Sequence, residues 1–125
     1  MLFRSARTHD IYVGTWGADY WDPHTNADTF VRNPDNADDA KSKPLTWRNA
    51  WAIPELTKKA DAAVLERDPV KRRALYDALQ AEFRKTSPFV MLFQQTEVAA
   101  YRGNVEGLKL GPTTDSTYLF SVSKR

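Results

Sequence analysis

With 125 residues, 18 lysines and arginines against 16 aspartates and glutamates, and no cysteine, the chain is at most one domain and nearly neutral at a formal charge of +2. That balance leaves no electrostatic footprint for nucleic acid, and the basic run Lys71-Arg72-Arg73 reads as a solvated helix face. The absence of cysteine excludes disulfides, thiol catalysis and cysteine-linked lipid. The first residues, Met1-Leu2-Phe3-Arg4-Ser5-Ala6-Arg7, lack the apolar core of a secretory signal, and no run approaches membrane-spanning length. As written, the chain is expected to be soluble, without an export address, and cytoplasmic if expressed in that form.

In chain order, residues 1–9 read as a tail or as the end of a helix. Asp10 to Trp16 alternates in polarity and predicts a strand, which breaks at Gly17. From Gly17 to Thr46 neither period is present, and Pro23, Pro34, Pro44 and many Asp and Asn suggest a loop. A structureless loop of that length argues against a self-contained domain. Trp47 and Trp51 would share a face in a helix, or one indole would stack in a turn. Pro54 at a first helical position, Glu55 in the first turn and the stripe Leu56, Ala60, Ala63, Val64 predict a helix over 54–67. Asp68-Pro69 is a cap and restart, and Val70, Ala74, Leu75, Ala78, Leu79 and Phe83 carry a second helix to Ser87-Pro88. Two adjacent antiparallel helices follow from this pattern. Phe89-Val90-Met91-Leu92-Phe93 is continuously apolar, as in a strand buried on both faces, and Gln94 to Arg102 continues in extended form. Gly103-Asn104 and Gly111-Pro112 predict turns, and Val105–Leu110 and Tyr118–Val122 predict short strands. A doubly buried strand needs sheet neighbours and covering layers that these few elements do not supply.

The chemistry concentrates in Trp16-Gly17-Ala18-Asp19-Tyr20-Trp21-Asp22-Pro23. A carboxylate among aromatic faces suits a cationic group, through Coulomb attraction and ring quadrupoles. It equally suits a sugar, which stacks on rings and donates hydroxyl hydrogen bonds. The plain structural reading is that the rings are core or rim and that Asp19 and Asp22 cap turns. Asp19 with Asp22 raises a two-carboxylate glycoside chemistry, to which no other residue commits. Asp22, His24, Asn26 and Asp28 alternate like a calcium loop, but Ala27 stands where the glycine is needed and Asn33 where the closing acid is. His24 reads as a polar loop residue, and His9 has no metal-ligand spacing with it. No nucleophile elbow or phosphate-binding glycine loop is present. Gln94-Gln95 could line a cleft or simply mark a strand's return to solvent.

Taken in order, Trp16-Gly17-Ala18-Asp19-Tyr20 with Asp22-Pro23, the helix pair, Ser87-Pro88-Phe89-Val90-Met91-Leu92-Phe93, and Asn104-Val105 with Gly107 form a pattern. It resembles the C-terminal part of the family 5 (dipeptide/oligopeptide-type) extracytoplasmic solute-binding proteins of ABC importers. The resemblance runs from about residue 9 to the end, and it departs in length, since family members are several times longer and exported. It implies an α/β fold, a partial periplasmic-binding-protein type II (two-lobe, cluster C) fold with a helix pair and a few strands. Residues 1–88 would be part of the second lobe, with cleft strand, long loop and helix pair. Residues 89–125 would be the hinge crossing and return strands to the first lobe. It implies a periplasmic protein that binds a peptide or related small solute between lobes and docks on a membrane ABC permease. No enzyme activity, metal or cofactor is implied. In peptide-binding members the aspartate of this motif pairs with the ligand's α-ammonium. Carried over, Asp19 is the ammonium acceptor, Trp16 and Gly17 are wall and backbone contacts, and Tyr20 and Trp21 are further ring contacts. The competing readings are a carbohydrate-binding or glycoside-acting protein using Trp16, Asp19, Tyr20, Trp21 and Asp22, and a stand-alone interaction module.

Overall fold

The computed structural model describes residues 6–113 and 116–125, so most of the tail expected over 1–9 lies outside the described residues. The chain is mixed, with four helices and two small two-stranded sheets among the described residues. In order these are α1 (Pro23–Phe30), α2 (Leu45–Arg48), α3 (Pro54–Leu65), α4 (Pro69–Thr86), β1 (Val105–Glu106), β2 (Lys109–Leu110), β3 (Thr117–Tyr118) and β4 (Ser123–Lys124). They fall into two compact units. Among the described residues, one comprises 6–14 and 22–90, the other 15–21, 91–113 and 116–125. The residues 15–21 thus group with the later stretch and not with the helices.

The first unit holds the core. The expected helix pair is present, α3 opening on Pro54 with Glu55 in its first turn, and α4 opening on Pro69. The Asp68 carboxylate accepts from the backbone N–H of Val70 (2.9 Å) and Lys71 (3.0 Å), satisfying two of the donors a helix start leaves free. Helix α3 ends at Leu65, short of the expected residue 67. Leu56, Ala60 and Ala63 are buried as their spacing predicts, and they meet Ala27 and Val31 with α1 and Tyr76 and Leu79 on α4. The three alanines let the helices approach closely, and Trp51, Ile53 and Phe83 close the cluster. The stripe on α4 is only partly a core face. Val70, Ala74, Leu75 and Ala78 are exposed, because the seam against α1 and α3 follows Tyr76, Leu79 and Phe83 instead. Lys59 and Glu82 are paired between α3 and α4 at the surface.

Residues 17–46 are not the structureless loop expected. Asp22 caps α1 and Pro23 occupies its first turn, the same signature that opens α4. Beyond α1 the chain is tied to Trp47, which is 2 % exposed. The indole Nε1 donates to the carbonyl of Ala37 (2.7 Å), and Arg7 donates from Nε to the carbonyl of Trp47 (2.7 Å). The Arg7 guanidinium lies 3.9 Å from the centroid of the Trp47 ring and the Lys43 ammonium 4.5 Å from it, two cation–π contacts on one indole. Thr46 Oγ1 donates to the Arg32 carbonyl (2.7 Å), and Thr57 Oγ1 accepts from the backbone N–H of Asn33 (3.0 Å). The helix carrying Trp47 stops after one turn and Ala50 adopts φ +50°, so Trp51 leaves the helical path. It enters a ring cluster with Phe83 and Phe89, at centroid distances of 5.9 and 6.4 Å, and Phe30 meets Phe89 at 5.4 Å.

The second unit has no buried residue among those described. Its regular structure is one interrupted hairpin. β2 pairs antiparallel with β3 (Lys109 opposite Tyr118) and β1 with β4 (Val105 opposite Lys124). The expected strand over 105–110 is split at Gly107, which sits at φ +79°, and the expected strand over 118–122 is broken by a turn at Phe120-Ser121. The two breaks face each other. Ser121 Oγ donates to the Gly107 carbonyl (2.7 Å), and a Cβ at Gly107 would stand 1.9 Å from the Ser121 carbonyl oxygen. Only glycine fits such an approach at positive φ.

Two other expected strands do not form. Among the described residues, 10–16 form no strand ladder, and Ile11 and Val13 are 86 % and 76 % exposed. The apolar run is likewise not buried: Val90, Met91, Leu92 and Phe93 are 62–82 % exposed, and residues 89–102 contain no helix, ladder, turn or bend. Their composition fits a central strand, but the described residues supply no neighbouring strand to pair with it.

Candidate functional site

The aromatic-acid cluster divides into two parts with different roles. Trp16, Gly17 and Ala18 are half-buried. The chain then bends over residues 19–22, which leaves Asp19, Tyr20 and Trp21 exposed, Tyr20 at 49 % and Trp21 at 77 %. Among the described residues Asp19 has no hydrogen-bond or ion-pair partner. A carboxylate with its acceptors uncommitted, following one half-sheltered indole and preceding two exposed rings, can accept hydrogen bonds from an ammonium or from hydroxyls.

Asp22 is committed elsewhere, as the plain reading of turn-capping carboxylates anticipates. Its Oδ1 accepts the backbone N–H of His24 (2.7 Å) and the Arg72 guanidinium (2.8 Å). The hydrogen bond from Arg72 is the main influence on its carboxyl, which is held below the ordinary carboxylate range; burial opposes this and the His24 N–H adds to it. The Asp22 bond in turn raises Arg72 above its usual value. His24 Nδ1 lies 3.0 Å from Tyr76 Oη, to which Arg72 also donates at 3.4 Å, and the Arg72 guanidinium is 5.0 Å from the Tyr76 ring. His24 is therefore an N-terminal helix residue in a polar joint between α1 and α4, not a loop residue. Asn26 and Asp28 share α1 with it, so the alternation noted above is a helix and not a cation loop. Sequence reasoning missed this joint, although Asp22-Pro23 was its signal.

A general acid in glycoside chemistry needs a raised pKa, and Asp22 is displaced in the opposite direction. The shift speaks against the acid's role alone, since the second carboxylate of such a pair works ionised.

A shallow, solvent-open depression of about 290 Å³ lies over this joint, lined by Pro23, Arg67, Arg72, Arg73, Tyr76 and Gln80 among others. It contains none of Trp16, Gly17, Asp19, Tyr20 or Trp21. Its arginines do not sum to an anion site, since Arg72 is paired with Asp22 and Arg73 faces Asp77 at 3.9 Å. Among the described residues no three His, Asp or Glu side chains converge as metal ligands, and no helix is long and apolar enough to cross a membrane. No protein-family model matches the chain, and no curated protein or solved structure matches it either.

Proposed function

We propose that the chain is part of a solute-binding protein of the peptide-importer type, carrying one wall of an interlobe cleft, with Asp19 as acceptor for the ligand's ammonium group. The observation that carries this reading is the uncommitted, exposed Asp19 within the Trp-Gly-Ala-Asp-Tyr motif. The second unit, which has no buried residue, and the bare run Val90–Phe93 support it further. Both suit a partial periplasmic-binding-protein type II fold whose return strands are covered by a first lobe. In that reading the work is closure on a solute followed by docking on a membrane permease, in the periplasm, with no bond made or broken. The sugar-directed alternative retains Trp16, Asp19, Tyr20 and Trp21 but loses Asp22 to the α1–α4 joint.

An exposed carboxylate and an ammonium at about 4 Å gain only about 1 kcal/mol in bulk water. Exposed cation–π contacts add about 0.5–1 kcal/mol each. A micromolar site needs about 8 kcal/mol, so this chain alone binds at millimolar strength or weaker. The test is a titration of the chain with a short peptide, followed by amide NMR. Shifts at residues 16–21 that vanish with the N-acetylated peptide and with Asp19→Asn support the assignment. Equal shifts for free and acetylated peptide refute Asp19 as ammonium acceptor, and micromolar affinity refutes the single-wall reading.

A further inference from the structure

In this chain the segment Val90-Met91-Leu92-Phe93-Gln94-Gln95 stands bare. We infer that it is a self-association strand, whose partner is the same segment of a second copy of this chain. Four observations carry this. Among the described residues, none from 90 to 101 makes a hydrogen bond, so the backbone donors and acceptors of both strand edges are open. Val90, Met91, Leu92 and Phe93 are 80, 62, 68 and 82 % exposed, and alternation puts Val90 and Leu92 on one face and Met91 and Phe93 on the other. From Phe89 to Thr96 there is no charge, proline or glycine, the composition of a six-residue segment that stacks with copies of itself. The devices that usually blunt an edge, an inward charge or a bulge, are missing from it.

A second copy is the occupant that the sequence favours, because every side chain the strand would lay against itself is apolar or an amide. Pro88 lacks an N–H and bounds the pairing at one end. Glu97 is the first charge at the other end. Parallel, in-register pairing would set Glu97 against Glu97, whereas antiparallel pairing separates them, so antiparallel is the arrangement expected. One six-residue strand pair is marginal by itself. With both edges open, each copy accepts a neighbour on either side, and the contact adds further copies instead of closing at a dimer.

The inference stands apart from the solute-binding reading, since it concerns this chain with the segment uncovered. Its test uses the full chain at roughly 10–200 µM, the range in which open strand edges drive association. Sedimentation and light scattering follow size, and infrared spectroscopy reports intermolecular antiparallel β structure. The wild type is expected to grow with concentration, while Leu92→Lys stays monomeric. Val98→Lys, at an equally bare apolar position outside the segment (86 % exposed), is expected to grow like the wild type. The thermal melt of the helical unit serves as fold control for all three. A wild type that is monomeric throughout overturns the inference. It is equally overturned if Leu92→Lys assembles undiminished, if Val98→Lys abolishes assembly as well, or if hydrogen exchange protects a segment other than 90–95.

Discussion

Replacing Asp22 by alanine removes two bonds from one oxygen, the cap on the His24 N–H at 2.7 Å and the ion pair to Arg72 at 2.8 Å. Loss of an aspartate N-cap costs about 1 kcal/mol. The ion pair joins side chains that are 24 % and 31 % exposed, so solvent screens it in part and it contributes up to about 1 kcal/mol. The sum, about 2 kcal/mol, is a large share of the roughly 5–15 kcal/mol that holds a small domain together. For a unit of this size it lowers the melting temperature by about 8–16 °C. Asparagine keeps the cap acceptor, so Asp22→Asn is expected to lose only about half as much. Asp19→Ala removes an exposed side chain with no partner among the described residues and is expected to stay within about 0.5 kcal/mol of wild type. Thermal unfolding of the three variants, followed by helical circular dichroism, measures all of this. If Asp19→Ala destabilises as much as Asp22→Ala, the division of the two carboxylates into one free and one structural group is wrong. If Asp22→Asn costs as much as alanine, the charge and not the cap holds the joint.

Three further outcomes follow from the same geometry. Because the Asp22 carboxyl is depressed in the fold, its contribution is complete above its ordinary value of 3.8 and disappears as pH falls below that; the acid limb of the stability curve is expected to be shallower in Asp22→Asn, and superimposable limbs would refute this. Leu56 is fully buried, so Leu56→Ala is expected to cost about 2–5 kcal/mol in a urea titration, and a loss under about 1 kcal/mol would mean the helices collapse around the gap. Gly107→Ala is expected to unpair β1 from β4, read as loss of amide protection at Arg125, whose N–H donates to the Asn104 carbonyl (3.0 Å), while the melt of the helical unit is unchanged.

The helix pair was legible because its signals are local: Pro54, Asp68-Pro69 and apolar spacing lie within the segments they organise. Helix α1 was missed although Asp22-Pro23 repeats the Asp68-Pro69 signal, because His24, Thr25, Asn26, Asp28 and Thr29 hide any apolar period. It is held instead by Ala27, by neighbouring Val31, and by the contacts of Asp22 and His24 with α4, which join residues far apart in sequence. The binding of the long loop by Trp47, Arg7 and Lys43 was hidden for the same reason. The Val90–Phe93 pattern reports what the residues suit, while burial depends on neighbours that a pattern cannot encode. In the aromatic-acid cluster, composition picked out both carboxylates, but only the position of Arg72, fifty residues along the chain, separates their roles.

The ring cluster around Phe89 gives the helical unit a mechanical handle. Phe89 is wedged edge-on against Phe30 and Trp51 and stacked on Phe83, one residue before the bare segment begins. Any load that a binding partner places on that segment is therefore delivered through a single peptide link to an indole inside a wall of phenyl rings. A change in how Phe89 is seated is therefore felt first by Trp51 and Phe83.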